Sequence, residues 1–408
     1  MPIDFYYLLL YPTGAICVLS FGYLFFSLFV IERFRIKRHD PKPDFHPPVT
    51  IFKPVCGLDT DMAANLRSFC EQDYPEYQVI FGVQKQDDPA LDVIHHLIKE
   101  LPDVDMRVIV NPRLHGSNHK VSNLINMYPH AMHDYVLIAD SDMRVPPDYL
   151  ANVMAPFASP EVGAVTCLYS GEAKNGIASA LNAMFINSWF LPSVLISEMI
   201  EKTRFCLGAT MAVRRDVLEK VGGLCSLKDH LADDYMLGKL VTDAGYRIHL
   251  SHYVVTNVVH EPGFRSLYLH ELRWARTLRT VEPVRYAMTF LTDTVVIALV
   301  TATLALLAGA GMAWPLAIVL LAVAARILLH LRVKSALGLE HAGSVLLIPL
   351  RDLLSFFIRA ASFTGSAVHW RNHDFSVDSE GLIHEYETAI PLTVEEEEIV
   401  DLATNQDY

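Results

Sequence analysis

The segment YVLIADSD (135–142) runs an apolar stretch directly into two aspartates separated by one serine. A short apolar run of this kind reads as a buried strand, with the acids at its C-terminal end. Working outward, VTIFKPV (49–55), QVIFGVQ (78–84) and MRVIVN (106–111) have the same character, and MAANLRSFCEQ and DVIHHLIKEL between them have helical spacing. This alternation predicts an α/β unit over residues 49–285, a mostly parallel sheet covered by helices. In open sheets of this type, ligands bind beyond the C-terminal ends of the strands. Asp140 and Asp142, with Asp87 and Asp88 after the second strand, are therefore expected at one mouth.

The chain has 408 residues, with 33 Lys and Arg against 46 Asp and Glu, for a net charge of −13. A hydrophobic content of 52% excludes a disordered chain, and the acidic balance excludes a general nucleic-acid binder. Much of the excess charge lies in an acidic tail, residues 369–408, which is expected to be disordered. Cys17, Cys56, Cys70, Cys167, Cys206 and Cys225 form neither a C-x-x-C pair nor a zinc-type cluster, and read as reduced thiols.

Residues 5–31 contain no charged side chain and are long enough to cross a bilayer's hydrocarbon core, so residues 1–32 read as a retained anchor. Arg33, Arg35, Lys37, Arg38 and Lys42 follow it in a basic, proline-rich linker, 33–48, while no Lys or Arg precedes it. The positive-inside rule then puts residue 32 onward in the cytoplasm. A C-terminal membrane region is expected over 286–368. Its first apolar block, Met288 to about Leu331, is broken by Gly309, Gly311 and Pro315 and predicts two helices, with Asp293 and Arg326 snorkelling to the interface. The stretch Ser344–Gly365, with Arg351, Asp352 and Arg359, is either a further span or an amphipathic interfacial helix.

Two carboxylates at i and i+2 in a turn can face one hard cation, Mg2+ or Mn2+, bridging to a diphosphate; the same tripeptide can also be an Asx-type turn. Asp233 and Asp234 open an amphipathic helix, either as charges favoured at its positive end or with one of them a general base. His270, Arg273 and Trp274 share one helix face, reading as a lid over a phosphate-bearing ligand or as an ordinary amphipathic surface. The apolar segment 175–200 is interrupted by Asn182, Asn187, Ser188 and Pro192. It reads as an interfacial helix admitting an amphipathic lipid, with Trp189 as an acceptor contact; a buried core helix is the alternative.

Taken in order, F-K-P-V-x-G (52–57), V-Q-x-x-D-D-P-A (83–90), D-S-D (140–142), A-D-D-Y (232–235) and H-x-x-R-W (270–274) closely resemble the ceramide glucosyltransferase family of membrane glycosyltransferases. RLHGSNHKVSNLINM (113–127) and the H-x-x-R-W form are most similar to its bacterial branch associated with hopanoid biosynthesis, which places N-acetylglucosamine on a hopanoid polyol. The resemblance implies a GT-A nucleotide-sugar fold, flanked by N- and C-terminal membrane helices. It implies Asp88 near the nucleotide, Asp140 and Asp142 on diphosphate and metal, and Asp234 as base. His270, Arg273 and Trp274 would be the lid, with Lys120 and Asn123 near the donor. This chain departs from the pattern at His270, where the family more often has Gln or Arg, and at Asp142, an acid that ceramide enzymes commonly lack. The implied reaction is inverting transfer of glucose or N-acetylglucosamine from a UDP-sugar to a membrane-lipid hydroxyl, a hopanoid polyol ahead of ceramide. The implied place is a bacterial inner membrane, with the catalytic domain cytoplasmic. A processive polysaccharide synthase, for which three or four spans are too few, and a catalytically silent membrane scaffold are the rivals.

Overall fold

The computed structural model describes residues 3–37, 43–339, 343–370, 373–378 and 380–385. Arg38 and Lys42 of the basic linker, and residues 386–408 of the acidic tail, lie outside the described residues.

The α/β expectation holds. Strands β1 (Val49–Val55), β2 (Tyr77–Val83), β3 (Asp105–Val110), β4 (Tyr135–Ile138), β5 (Met143–Arg144), β6 (Val162–Ala173), β7 (Met211–Arg214) and β8 (Arg247–Val259) form one sheet in the order β3-β2-β1-β4-β7-β6-β8-β5. The strands β1 to β4 are mutually parallel, β7 runs antiparallel between β4 and β6, and β8 pairs parallel with β6. Covering helices make both faces of β1 interior, which is why all of its residues are buried. Helix Met62–Cys70 buries Leu66 and Phe69, and helix Ala90–Glu100 buries Ile94 and Leu97, each pair one turn apart. The C-terminal ends of β1 and β4 thereby deliver Asp59 and Asp140 to the same rim, where Ser141 donates to Asp59 at 2.6 Å.

Among the described residues three helices are long and apolar enough to cross a membrane: Phe5–Ile36, Gly176–Ile200 and Ala313–Leu337. Helix Thr294–Leu307 has 14 residues, about 21 Å of rise, and reaches spanning length only with Pro283–Thr292, from which it is bent by 65°. Two expectations fail here. Asp293 and Arg326 do not snorkel: both are buried, Asp293 paired with Arg359 at 3.1 Å and Arg326 lying 3.1 Å from Asp352. The interruptions of segment 175–200 are internal contacts rather than an interfacial face. Asn187 exchanges two 2.9 Å hydrogen bonds with the backbone of Gly171 on β6, and Asn182 and Ser188 are buried.

Helix Ile348–Ser362 is inverted relative to a water-soluble helix. Arg351, Asp352, Ser355 and Arg359 face inward, while Leu350 and Phe357 are exposed. Polar groups packed on protein with apolar ones outward is the pattern of a helix whose other neighbour is lipid.

Residues 367–385, most of which the acidic composition assigns to a disordered tail, include a folded antiparallel sheet of β9 (Ala367–Trp370), β10 (His373–Val377) and β11 (Ile383–Glu385). It bonds to the loop before Asp233: Ile383 N–H donates to Asp229 O and Leu231 N–H to Gly381 O. Leu231 shares a buried cluster with Val368, Phe375, Val377 and Ile383.

Candidate active site

The D-S-D turn is held from below and from both sides. Lys53 on β1 is fully buried, stands over the Phe69 ring, and donates to the Asp140 carbonyl at 2.5 Å. On the far side, Asn257 of β8 donates to Asp142 Oδ2 at 2.9 Å. The second oxygen of Asp142, Oδ1, is buried with no hydrogen-bond partner.

Helix Asp233–Asp243 brings the second acidic pair to this turn. Asp234 accepts from Gly208 N–H at 2.9 Å and from its neighbour Tyr235 N–H at 2.8 Å. A Cβ on Gly208 would lie 2.9 Å from Asp140 Oδ2 and 3.6 Å from Asp234 Oδ2, so both carboxylates occupy the space over that glycine. Lys120 sits 2.8 Å from Asp140 Oδ1 and 3.2 Å from Asp233 Oδ2. It rises from helix His119–Met127, whose N-terminus is capped by the Asn118 side chain, and the Asn118 amide donates in turn to His230 O. Asn123 of the same helix bonds Gly82 of β2 and holds the scaffold.

Asp88 accepts from Gly57 N–H at 2.9 Å and from Ala90 N–H at 2.9 Å. It pins the β1 loop to the start of a helix, with Gly57 at φ +69°, a conformation that favours glycine. On helix Phe264–Val281, His270 Nδ1 lies 2.7 Å from the buried Glu261, which Asn182 and Ser266 also bond. The His270 and Trp274 rings meet at 4.3 Å. Arg273 of the same helix and the carboxylates of Asp234, Asp142 and Asp140 all act on the phenol of Tyr169 on β6, so this helix and the acids share one neighbourhood. Glu271 faces the other way, into a two-pronged pair with fully buried Arg351 at 2.6 and 2.7 Å.

Trp189 is buried, donates from Nε1 to Asp352 at 2.9 Å, and carries the Arg326 guanidinium 3.7 Å over its ring. These contacts give Trp189 a structural part in packing helices Ala313–Leu337 and Ile348–Ser362. Sequence reasoning quoted Lys53 only within F-K-P-V-x-G, with no role, and passed over Asp59, Tyr169, Gly208, Asn257 and Glu261. Lys53 alone had a signal, a cation in the middle of an otherwise uncharged strand.

Five carboxylates (Asp59, Asp140, Asp142, Asp233, Asp234) gather against two ammonium groups, Lys53 and Lys120. Burial, then Asp140 and Asp59, pushes Asp142 up to about 6; burial, then Asp233, does the same to Asp234. Burial pulls the Lys53 ammonium down to about 7, although Asp140 and Asp142 oppose this. Burial also lowers Lys120, but Asp140, Asp233 and Asp234 overcome it and hold that ammonium above the ordinary lysine range. Such a surplus of hard oxygen ligands, with one buried oxygen unpartnered, fits Mg2+ or Mn2+. Among the described residues no group of three or more His, Cys, Asp or Glu is placed to hold a metal ion by itself.

The fold and the acid-lined rim define the GT-A class of nucleotide-sugar transferases. A solved mannosyltransferase from Pyrobaculum calidifontis, in complex with GDP-Man and Mn2+, has the same fold, with a TM-score of 0.52 over 86% of this chain and 98% of that one at 20% identity. The chain belongs to glycosyl transferase family 21, whose profile matches residues 13–383. It is 26% identical over 245 residues to ceramide glucosyltransferase 1 of Caenorhabditis elegans, covering 60% of this chain and 52% of that protein. A ceramide glucosyltransferase of Komagataella phaffii is 35% identical over 120 residues, 28% of this chain and 24% of that protein. The chain thus spans about half the length of the nematode relatives it matches.

Proposed function

We propose that this membrane protein transfers a hexosyl group, glucose or N-acetylglucosamine, from a UDP-sugar to a hydroxyl of a membrane lipid, with inversion. The observation that carries this reading is the convergence of Asp140 and Asp234 over Gly208, a diphosphate-side acid beside a candidate base. The incoming hydroxyl gives its proton to Asp234 as its oxygen attacks the anomeric carbon, and the UDP oxygen departs on the opposite face. With a pKa raised to about 6, Asp234 is ionised at neutral pH and more basic than an ordinary carboxylate. Asp140 and Asp142 would hold Mg2+ or Mn2+, which when bound neutralises charge growing on the leaving diphosphate. Lys120 and Arg273 supply further positive charge on that side, and His270 and Trp274 close over the donor. Asp88 sets the loop against which the nucleotide rests. A diphosphate leaves without needing an acid, so one catalytic carboxylate suffices.

A hopanoid polyol in a bacterial inner membrane is the acceptor this reading favours, with the catalytic domain on the cytoplasmic side of the anchor. Ceramide is the second reading, supported by the relatives' names. The four acids Asp140, Asp142, Asp233 and Asp234 speak against a silent scaffold. At most four spanning elements among the described residues are too few for a polysaccharide-conducting channel. The test is incubation of the purified protein with UDP-glucose or UDP-N-acetylglucosamine and either lipid, with products weighed by mass spectrometry. A hexosyl-hopanoid supports the first reading and a hexosylceramide the second; no glycolipid from any combination overturns both.

A further inference from the structure

A pocket of ≈ 170 Å³ lies behind the candidate base, where the end of the apolar helix Gly176–Ile200 meets the start of the broken span at Pro283. Its wall carries four cations, Lys202, Arg204, Lys239 and Arg285, with Glu201 and Glu282. Both glutamates are engaged by Arg285, and Glu282 also accepts from Tyr235 at 2.9 Å. Arg204 pairs with Asp243 at 3.1 Å. Lys202 and Lys239 are exposed, and among the described residues no carboxylate stands within ion-pair distance of either. Counted with Asp243, three acids face four cations, which leaves one positive charge over, and neither lysine has a carboxylate partner of its own among the described residues.

The rim is apolar. Ile200, next to Glu201, and Val284, next to Arg285, are each 75% exposed, and Met288 one turn on is 60% exposed. Large apolar side chains bared beside a cationic recess, at the mouths of two membrane elements, match the two halves of a phospholipid. We propose that this pocket holds the phosphate of an anionic phospholipid. Lys202 and Lys239 contact the headgroup, and the acyl chains run along Ile200, Val284 and Met288. The site ties the helix carrying Asp233 and Asp234 to the bilayer surface through Lys239 and Tyr235. It rests on membrane residence alone and stands whichever sugar or acceptor the active site uses.

The test is native mass spectrometry of the full chain from detergent, titrated with phosphatidylglycerol, phosphatidylcholine or inorganic phosphate. Retention of phosphatidylglycerol over phosphatidylcholine is expected, falling on the order of thirty-fold in Lys202→Ala/Lys239→Ala, from two lysines at about 1 kcal/mol each. Lys202→Arg/Lys239→Arg should retain the lipid, which separates charge from misfolding. Equal retention by the alanine variant, no preference for the anionic lipid, or binding of inorganic phosphate as tight as that of the lipid would overturn the assignment.

Discussion

Asp140 and Asp234 come from distant parts of the chain, one after β4 and the other opening a helix far downstream, yet both carboxylates crowd the same glycine. At Gly208 a Cβ would stand 2.9 Å from Asp140 Oδ2, closer than such contacts run, so one carboxylate must move. Gly208→Ala is therefore expected to lower kcat about a hundredfold, since small misplacements of reacting groups cost that much. Thermal unfolding in detergent should change little, because the Asp140 side chain is 36% exposed and can shift toward solvent; an active Gly208→Ala would show that the convergence is not the reacting position.

The raised Asp234 gives the pH dependence. Activity, read as kcat/KM, should fall as pH drops through about 6, where Asp234 takes up a proton and ceases to act as base. Lys120 lowers this pKa and Asp233 raises it. Lys120→Met should accordingly move the acid limb to higher pH, and Asp233→Asn to lower pH. Limbs that move together, or not at all, would point to another titrating group.

Glu271 and Arg351 fasten helix Phe264–Val281 to helix Ile348–Ser362 by a buried, two-pronged pair. Removing one partner strands a buried charge, so Arg351→Met should destabilise by about 3–5 kcal/mol. Glu271→Met/Arg351→Met should recover most of that loss, measured by thermal unfolding in the same detergent.

Trp189 separates a structural from an acceptor role. Its Nε1–H bond to Asp352 is lost in Trp189→Phe, leaving a buried carboxylate short of a donor, at about 1–3 kcal/mol. Stability should drop while KM for the lipid holds. A raised lipid KM at unchanged stability would favour the acceptor reading.

What the sequence made legible was local. Apolar runs ending in acids mark β2 and β4, and set Asp88, Asp140 and Asp142 at the rim of the sheet. Asp233 and Asp234 at a helix start, and His270 with Trp274 one turn apart, follow from helical spacing in the same way. The rest depends on which distant segments pair. Nothing near Lys53 announces that its ammonium meets the Asp140 carbonyl, and nothing near Glu261 announces His270. Asp293 and Arg326 were misplaced because an isolated charge in an apolar run has two remedies, snorkelling or a buried partner. The partners, Arg359 and Asp352, lie on another helix. The small sheet of β9 to β11 was hidden by acidic composition, although V-H-W (368–370) and D-F-S-V (374–377) alternate apolar with polar residues as strands do.

The central claim, that Asp234 is the base of a metal-assisted sugar transfer beside Asp140 and Asp142, is tested most directly by Asp234→Asn. Glycolipid formation and Mn2+-dependent UDP binding should be measured on one preparation. We predict product formation lowered at least about a thousandfold, with UDP affinity within a few-fold of the unaltered protein and lost on adding a chelator. Product within about tenfold of the unaltered level, or UDP binding and turnover indifferent to the chelator, would contradict it.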